Sequence, residues 1–395
     1  MTPEGTVRAG WEPVREAFVE NFRSRGELGA AVAVVHRGEV VVDLWAGTAD
    51  ARGGRRWTEH TPGVVFSATK GLVATCFLLL ADRGQVDLDA PVSESWPELR
   101  GHGKERITVR QLLCHRSGLS AIDRPLTLRD VRDAPDRVHD ALVSQVPLWE
   151  PDTDQGYGAC SWGLYTAELF RRLTGRTLGA FLASEVAEPL GLELALGKPD
   201  ALAPAAKLVP PSPRRQLPEL LRRTNEGRVF RRVIRPTTDT GRAFRNPTMG
   251  RARFEALNET ENLAIELPWM NALATARGLA RLYGALATDG TVDGVRLVRP
   301  SSLRPIHGRQ SWSPRDRVLQ KPIGWSSGFV KEEQGLFSSS PRAFGHPGAG
   351  GSLGWADPET ELGIGYVANR MDHRIRSPRA IALCRAAREV VTGRE

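Results

Sequence analysis

Apolar residues recur at helical spacing near the start of the chain, and β-rich runs follow them. An apolar residue returns every three or four positions from Trp11 to Phe22, which predicts a helix there. Residues 30–35 and 40–45 are rich in valine and other apolar residues, and the polar residues 36–39 separate them. This pattern predicts two strands joined as a hairpin.

A long apolar run over residues 72–80 contains neither glycine nor proline, and the first glycine beyond it is Gly84. It predicts a buried helix that ends at a glycine cap. A mostly helical and loop-like stretch follows to about residue 265. Further helices are predicted at residues 107–113, 164–173 and 178–186 and, with Thr275 as the N-cap, at residues 276–286.

Strand patterns return near the end of the chain, before one last helix. Strands are predicted at residues 324–330, 351–355 and 362–368, and the helix at about residues 378–391. Strands at both ends and helices between them predict a class of α/β plus all-α. We expect a discontinuous α/β domain of residues 1–80 and 268–395, an inserted helical domain of residues 81–267, and a site in the cleft between them.

Composition excludes several classes of protein. The 395 residues are 41% hydrophobic and 25% charged, which is ordinary globular composition. The first eight residues contain no apolar signal region, and no apolar stretch reaches the length of a membrane span. We therefore expect a cytoplasmic protein with no membrane partner.

The four cysteines, Cys76, Cys114, Cys160 and Cys384, are far apart and form no C-x-x-C pair. They are predicted to be reduced and mostly buried rather than a disulfide frame or a zinc site. Neither a metal nor a cofactor is expected.

The net charge of +8 is concentrated in one segment. Between Lys207 and Arg253 there are thirteen Lys/Arg and three Asp/Glu, a local charge of +10, so the rest of the chain carries about −2. No nucleic-acid-binding motif accompanies this segment, and we expect no nucleic-acid partner. The segment 207–253 is predicted to be a solvated, mobile loop or flap over the cleft; an anionic substrate, partner or membrane surface is the alternative.

Candidate chemistry begins at Ser67-Ala68-Thr69-Lys70, at the start of the apolar helix. Positions i and i+3 share a helix face, so the amine of Lys70 can reach the oxygen of Ser67. Burial and the positive helix end both disfavour a charged lysine, which makes a neutral amine base plausible near neutral pH. S-x-x-K is also short enough to arise by accident in many proteins.

Two further polar positions stand in glycine-rich surroundings. Tyr157 lies in a polar loop, whereas the other tyrosines, Tyr165, Tyr283 and Tyr366, fall on helix or strand patterns where core packing is expected. His346 lies in a segment with four glycines, Gly345, Gly348, Gly350 and Gly351, and such glycines let backbone N–H groups approach a ligand. Alternatively, Tyr157 is a loop hydroxyl bonded to backbone and His346 is a polar turn residue.

Ser67-x-x-Lys70, Tyr157 and His346-Pro347-Gly348 follow one another along the chain as three sequence motifs. Their order resembles that of the three signature motifs, or boxes, of the serine β-lactamase and penicillin-binding-protein superfamily. Supporting similarity lies in residues 107–119, which match I-T-V-x-x-L-L-x-H-x-S-G-L, and in residues 84–92. The resemblance spans roughly residues 28–370 and is greatest to the family VIII carboxylesterases. It implies a mainly antiparallel sheet flanked by helices, with an inserted helical domain.

The resemblance also implies roles for individual residues. Ser67 would be the acylated nucleophile, Lys70 its base, Tyr157 a proton relay, and the N–H groups of Ser67 and Ala349 the oxyanion hole. The residues that it places around the substrate are His346, Gly348, Trp149 and Ala159.

The chain departs from the β-lactamases at two boxes. It has Tyr157-Gly158-Ala159 where they have Y-x-N, and His346-Pro347-Gly348 where they have K-T-G. We therefore expect a serine hydrolase that forms an acyl-enzyme on Ser67, a carboxylesterase on small-molecule esters of short to medium chain. Amide or D-peptide hydrolysis, acyl transfer, weak β-lactamase activity and a penicillin-binding-like protein without turnover remain alternatives.

Overall fold

A computed structural model describes residues 2–211, 218, 220–331 and 335–393. Its strands, in chain order, are β1 Glu4–Val7, β2 Gly29–His36, β3 Glu39–Gly47, β4 Gly63–Val64, β5 Leu194–Ala195, β6 Leu273–Ala274, β7 Thr291–Val292, β8 Val295–Arg296, β9 Ser311–Ser313, β10 Ile323–Ser326, β11 Phe329–Val330, β12 Phe344–Pro347, β13 Leu353–Asp357 and β14 Leu362–Ala368.

Its α-helices, in the same order, are α1 Glu12–Arg23, α2 Thr69–Asp82, α3 Val92–Ser95, α4 Val109–Leu113, α5 Leu128–Asp133, α6 Pro135–Ser144, α7 Ser161–Thr174, α8 Leu178–Leu182, α9 Asn225–Val233, α10 Asp239–Ala243, α11 Thr260–Leu263, α12 Ala276–Ala287, α13 Pro300–His307 and α14 Pro378–Thr392. Tighter turns lie at Phe66–Ala68, Lys104–Arg106, Pro199–Ala201, Arg253–Asn258 and Ala349–Gly351, and a π-helical turn at Ala183–Ala187.

Nine of the described strands form one antiparallel sheet. Its order is β1-β3-β2-β14-β13-β12-β11-β10-β9, so the N-terminal hairpin pairs directly with the last strand of the chain. Strand β2 is buried from Gly29 to Val35, because helices cover both faces. Helices α1 and α14 pack together on one face, and α12 packs on the other against β14 and β2.

Glycines in the last strand let α12 approach the sheet closely. A Cβ at Gly365 would lie 2.1 Å from the Ala276 carbonyl oxygen, and one at Gly363 would lie 2.2 Å from the Gly284 nitrogen. Helix α12 begins where predicted, since the Thr275 side chain accepts a hydrogen bond from the Gly278 N–H.

The structure corrects several of the strand and helix assignments made from the sequence. Residues 324–330 form two strands rather than one, because Ser327 and Gly328 turn the chain with φ of 45° and 93°. Strand β12 was not predicted, since its Gly, His and Pro residues disfavour a strand assignment. The predicted helix over residues 178–186 ends at Leu182 and continues as the π-helical turn.

The prediction of a loop over residues 207–253 is also wrong in part. Helices α9 and α10 lie within this segment, and the hydroxyls of Thr224 and Thr238 cap their first turns. Residues 212–217 and 219, which include Arg214 and Arg215 of the charge count, lie outside the described residues.

The predicted fold class is confirmed as a mainly antiparallel sheet flanked by helices. The division of the chain into two domains stays a prediction. Within the described residues, no helix is both long and apolar enough to cross a membrane. The four cysteines are free thiols, and three of them are buried.

Candidate active site

Ser67 lies in a tight turn that leads directly into α2, and its side chain is partly exposed. The residue before it, Phe66, has a φ of 47°, in the left-handed region that non-glycine residues rarely adopt. Hydrogen bonds on both sides of Val65 hold this turn. The Val65 N–H donates to the Ala272 oxygen at 3.0 Å, and Ser352 Oγ donates to the Val65 oxygen at 2.7 Å.

Lys70 lies in the first turn of α2 with its side chain fully buried. Its Nζ donates to the backbone oxygens of Ala159 at 2.9 Å and Trp269 at 3.2 Å, and to the Tyr157 hydroxyl at 2.9 Å. Within the described part of the chain, no carboxylate pairs with it. The lysine is therefore held by neutral oxygens alone.

Tyr157 joins the lysine to the serine. Its hydroxyl lies 2.9 Å from Lys70 Nζ and 2.9 Å from Ser67 Oγ. Among the described residues, the hydrogen bonds of Lys70 do not include Ser67, so the contact that the sequence spacing suggested runs through the tyrosine. We call this arrangement the Ser67–Tyr157–Lys70 row.

Burial controls the electrostatics of the row. It lowers the pKa of Lys70 from 10.5 to about 7, against a smaller opposing effect of Cys160. Burial also raises the pKa of Tyr157 far above its usual value, although the bond to Ser67 and the charge of Arg376 act against this. Near neutral pH the row therefore holds a protonated tyrosine and a lysine that can be neutral.

The two carbonyl oxygens fix the direction of the row. They can only accept, so they take two N–H groups of Lys70 whatever its charge. In the ammonium form the third N–H donates to Tyr157, which donates to Ser67. In the neutral amine the lone pair faces Tyr157, so Ser67 can donate to Tyr157 and Tyr157 to Lys70. The neutral form is thus arranged to remove the serine proton.

Two residues that the sequence analysis did not single out hold the backbone around Tyr157. The buried Asp316 accepts from the Tyr157 N–H at 3.1 Å, and His115 Nδ1 accepts from the Gly158 N–H at 3.1 Å. Burial lowers the pKa of His115 well below 6.5, which keeps the ring neutral and Nδ1 free to accept. The histidine lies in the matched segment 107–119, whereas no local signal marks Asp316 or Trp269.

The third box, His346-Pro347-Gly348, lies beside the turn that contains Ser67. His346 is buried at the end of β12, and its Nδ1 lies 2.9 Å from the Pro347 oxygen. A Cβ at Gly348 would lie 2.2 Å from the Val65 oxygen, so only glycine allows this approach. The exposed Ala349 opens the turn Ala349–Gly351, which packs against the turn of Ser67.

The remaining predicted residues have different positions. Ala159 is buried, and its backbone oxygen faces Lys70. Trp149 lies under the loop that leads to Tyr157, where its Nε1 donates to the Asp154 oxygen at 3.1 Å and the Arg317 guanidinium lies 5.1 Å from its ring. Among the described residues, neither of these contacts of Trp149 reaches the row.

The Arg-rich segment contributes an apolar side chain next to the row. The ring of Phe244 lies 6.4 Å from that of Tyr157 and is 41% exposed. Helix α10, just before it, is tied down by Arg242, which pairs with Asp123 at 2.7 Å. The described part of the segment therefore borders the candidate site, and a mobile flap over the cleft stays a prediction.

Comparisons with known proteins agree on the family to which the chain is similar. The model of the beta-lactamase family matches residues 7–385. The esterase/beta-lactamase LipL of Mycobacterium tuberculosis is 34% identical over 364 residues, which cover 91% of this chain and 81% of LipL.

Solved structures match the whole chain. A penicillin-binding protein homologue from Caulobacter crescentus has a TM-score of 0.84 and 32% identity, covering 99% of this chain and 100% of that one. A family VIII carboxylesterase has a TM-score of 0.82 and 33% identity, with coverage of 99% and 100%.

Proposed function

The chain belongs to the beta-lactamase family and is a serine hydrolase, and from this premise we propose that it is a carboxylesterase for short- to medium-chain esters. The observation that carries the proposal is the Ser67–Tyr157–Lys70 row, with 2.9 Å between each pair of neighbouring polar atoms. An exposed hydroxyl, a buried relay and a buried amine with a lowered pKa supply the groups that acyl transfer requires.

In the proposed acylation step, Ser67 Oγ attacks the ester carbonyl carbon while its proton passes through Tyr157 to Lys70. The carbonyl oxygen becomes an oxyanion, which accepts hydrogen bonds from the backbone N–H groups of Ser67 and Ala349. The C–O bond to the alcohol then breaks, and the proton held at Lys70 returns through Tyr157 to the leaving oxygen. An acyl-enzyme on Ser67 and a free alcohol result.

Deacylation repeats the same steps with water. A water molecule loses a proton through Tyr157 to Lys70 and attacks the acyl carbon, and the proton is returned to Ser67 Oγ as the acid leaves. Each proton is restored within the cycle, so one amine serves both halves.

Two side chains favour neutral esters over β-lactams. Ala159 offers a methyl group where β-lactamases have an asparagine side chain, and its oxygen is bound to Lys70. His346 takes the place of the lysine of K-T-G, and because a carbonyl can only accept, its Nδ1 donates to the Pro347 oxygen. We expect Ala159, His346, Gly348 and Trp149 to shape the substrate cleft around these differences.

Weak β-lactam hydrolysis is the second candidate, because the name of LipL joins an esterase and a beta-lactamase. The two activities share one acyl-enzyme and differ in what the site must pair with. The rates on each substrate therefore decide between them.

The experiment is labelling with a fluorophosphonate, followed by intact-mass and peptide analysis, beside a panel of p-nitrophenyl esters, anilides and a chromogenic cephalosporin. One adduct on the Ser67 peptide and ester turnover lost in Ser67→Ala are expected. Ser93→Ala is the control, since Ser93 is also partly exposed but bonds to the Glu105 oxygen. Labelling or turnover that survives Ser67→Ala would show the nucleophile to be elsewhere.

A further inference from the structure

A second cavity lies outside the Ser67–Tyr157–Lys70 row. It has a volume of about 290 Å³ and is lined by the backbone segments 209–211 and 370–374 together with Arg25 and Arg379. That volume is roughly ten times the share of one water molecule, about 30 Å³. None of the three residues of the row lines it.

Part of the charge in this cavity is balanced within the protein. Arg374 pairs with Asp372 through two contacts of 2.9 and 3.0 Å, and the buried Arg379 pairs with Glu27 at 3.1 Å. Four arginines line the cavity, and two of them thus form ion pairs with carboxylates.

The other two arginines, Arg25 and Arg370, meet only neutral oxygens. Arg25 Nη1 donates to Asn21 Oδ1 at 3.0 Å, and Arg370 Nη1 donates to the Gly26 oxygen at 3.4 Å. Within the described chain neither forms an ion pair, and both are half-buried. Each guanidinium has further N–H donors that face a concave site. Among the described residues, the positive charges that line the cavity therefore outnumber the carboxylates that pair with them.

We propose that this cavity binds a small oxyanion, a phosphate or a carboxylate, between Arg25 and Arg370. The planar guanidinium groups match the two or three oxygens of such a ligand, and their hydrogen bonds to it are charge-assisted. The pairs of Arg374 and Arg379 hold the wall in place without supplying the excess charge.

The cavity wall is continuous with the turn proposed for the oxyanion hole. The Asp372 N–H donates to the Gly350 oxygen at 2.9 Å, and a Cβ on Gly350 would lie 2.9 Å from Met371 Cγ. The anion therefore lies behind the turn Ala349–Gly351. It is either a free ion bound beside the site or the acidic end of the substrate itself.

Binding is tested first on the unaltered protein. Inorganic phosphate is titrated by calorimetry and by thermal unfolding, with sodium chloride at equal ionic strength as the reference. We expect saturable binding and a rise in Tm with phosphate beyond that with chloride. Arg25→Gln and Arg370→Gln should each weaken phosphate binding roughly tenfold or more, the loss expected for a hydrogen bond to a charged group.

The matched control is Arg55→Gln. Arg55 is half-buried and donates to the Ala205 oxygen at 2.6 Å, but it does not line the cavity. This variant should bind phosphate as the unaltered protein does. An equal loss in all three variants would reduce the effect to general charge and overturn the proposal.

The source of the anion is distinguished with two esters, p-nitrophenyl butyrate and the p-nitrophenyl monoester of succinic acid. If the substrate supplies the anion, Arg370→Gln raises KM for the succinate ester and leaves that for butyrate unchanged. If the anion is free, phosphate binds and both esters respond alike. Absence of both saturable phosphate binding and succinate selectivity contradicts the site, whether or not Ser67 proves to be the nucleophile.

Discussion

Lys70 Nζ and the Tyr157 hydroxyl lie 2.9 Å apart, in a position where the other two hydrogen bonds of the lysine go to backbone carbonyls. The lysine pKa shift from 10.5 to about 7 corresponds to roughly 5 kcal/mol in favour of the neutral amine. Since the carbonyls occupy two N–H groups, the lone pair of that amine faces the tyrosine. In the proposed mechanism, this pair therefore determines how the serine proton leaves.

Removing either member of the pair should slow turnover without unfolding the protein. We expect Lys70→Met and Tyr157→Phe each to lower kcat for p-nitrophenyl butyrate by at least about 100-fold, the low end of general acid–base contributions. Tyr283→Phe is the control, because the Tyr283 hydroxyl is buried and has no hydrogen-bond partner in the described residues. Near-normal turnover in both variants of the row would contradict the relay.

Activity should rise with pH as Lys70 loses its proton. In the proposed mechanism the neutral amine is the base, and its fraction increases with pH through a pKa of about 7. The activity should reach a plateau above that pH, since burial raises the pKa of Tyr157 and keeps its hydroxyl protonated. The measurement is kcat/KM from pH 5.5 to 9, corrected for spontaneous hydrolysis. A flat or falling profile across pH 7 would exclude Lys70 as the base.

Asp316 should act as a positioning residue for Tyr157. Its Oδ1 accepts from the N–H groups of Tyr157, Val318 and Leu319, so Asp316→Ala leaves three backbone donors without their acceptor. We expect a loss of stability of roughly 1–3 kcal/mol or more and a fall in kcat of at least about tenfold. Asp316→Asn keeps an oxygen acceptor and should recover much of the kcat.

The control for Asp316 is another buried carboxylate, Asp357, at the end of β13 away from the turn Ala349–Gly351. Its carboxylate accepts from the Glu359 N–H and the Ser338 hydroxyl. Asp357→Ala should lower stability and leave kcat close to that of the unaltered protein. Equal kcat losses in the two alanine variants would mean that Asp316 acts through stability alone.

The features that could be predicted from the sequence are those that depend only on residues close together along the chain. The spacing of Ser67 and Lys70 across the turn into α2 is a local property, and so are the Thr275 cap and the hairpin β2–β3. Tyr157 was recognisable because its loop lacks the apolar periodicity that surrounds the other tyrosines. These features require no knowledge of the tertiary fold.

The supports of the site were not predictable in this way. Asp316 lies 159 positions from Tyr157, and Trp269 lies 199 positions from Lys70, so chain topology alone brings these partners together. The row itself shows the same limit. Helical spacing suggested that Lys70 contacts Ser67 directly, whereas a loop 87 positions beyond the lysine places a hydroxyl between them.

Phe244 should influence the preference for chain length. Its ring is 41% exposed and borders Tyr157, so it offers apolar surface to the substrate. Phe244→Ala should raise KM for p-nitrophenyl octanoate about 4- to 15-fold, since one or two buried CH₂ groups contribute about 0.8 kcal/mol each, and should change KM for the acetate little. Trp312→Ala is the control, because Trp312 is 40% exposed on the edge strand β9. Equal effects on both esters would remove Phe244 from the acyl subsite.

Short-chain p-nitrophenyl esters should be hydrolysed far better than penicillins or cephalosporins. A β-lactam brings a carboxylate and a side-chain amide that need partners, whereas a neutral ester needs neither. Here Ala159 presents a methyl group, and the imidazole of His346, whose Nδ1 lies 2.9 Å from the Pro347 oxygen, takes the place of the lysine of K-T-G. Leaving the carboxylate poorly paired should cost on the order of 1–3 kcal/mol, or roughly 5- to 150-fold in kcat/KM.

A double variant designed to reverse this substrate preference gives the sharper test. Ala159→Asn combined with His346→Lys supplies the asparagine of Y-x-N and the lysine of K-T-G, and it should raise kcat/KM for a chromogenic cephalosporin relative to p-nitrophenyl butyrate. An unaltered protein that already hydrolyses the cephalosporin as fast as the butyrate would show that the substrate class is wrong. In that case another cation pairs with the carboxylate, and Arg376, whose charge reaches the Tyr157 hydroxyl, is the first to replace with glutamine. If Arg376→Gln lowers the turnover of the cephalosporin and leaves that of the ester unchanged, Arg376 is the cation that pairs with the carboxylate. A neutral ester has no charge for that arginine to bind.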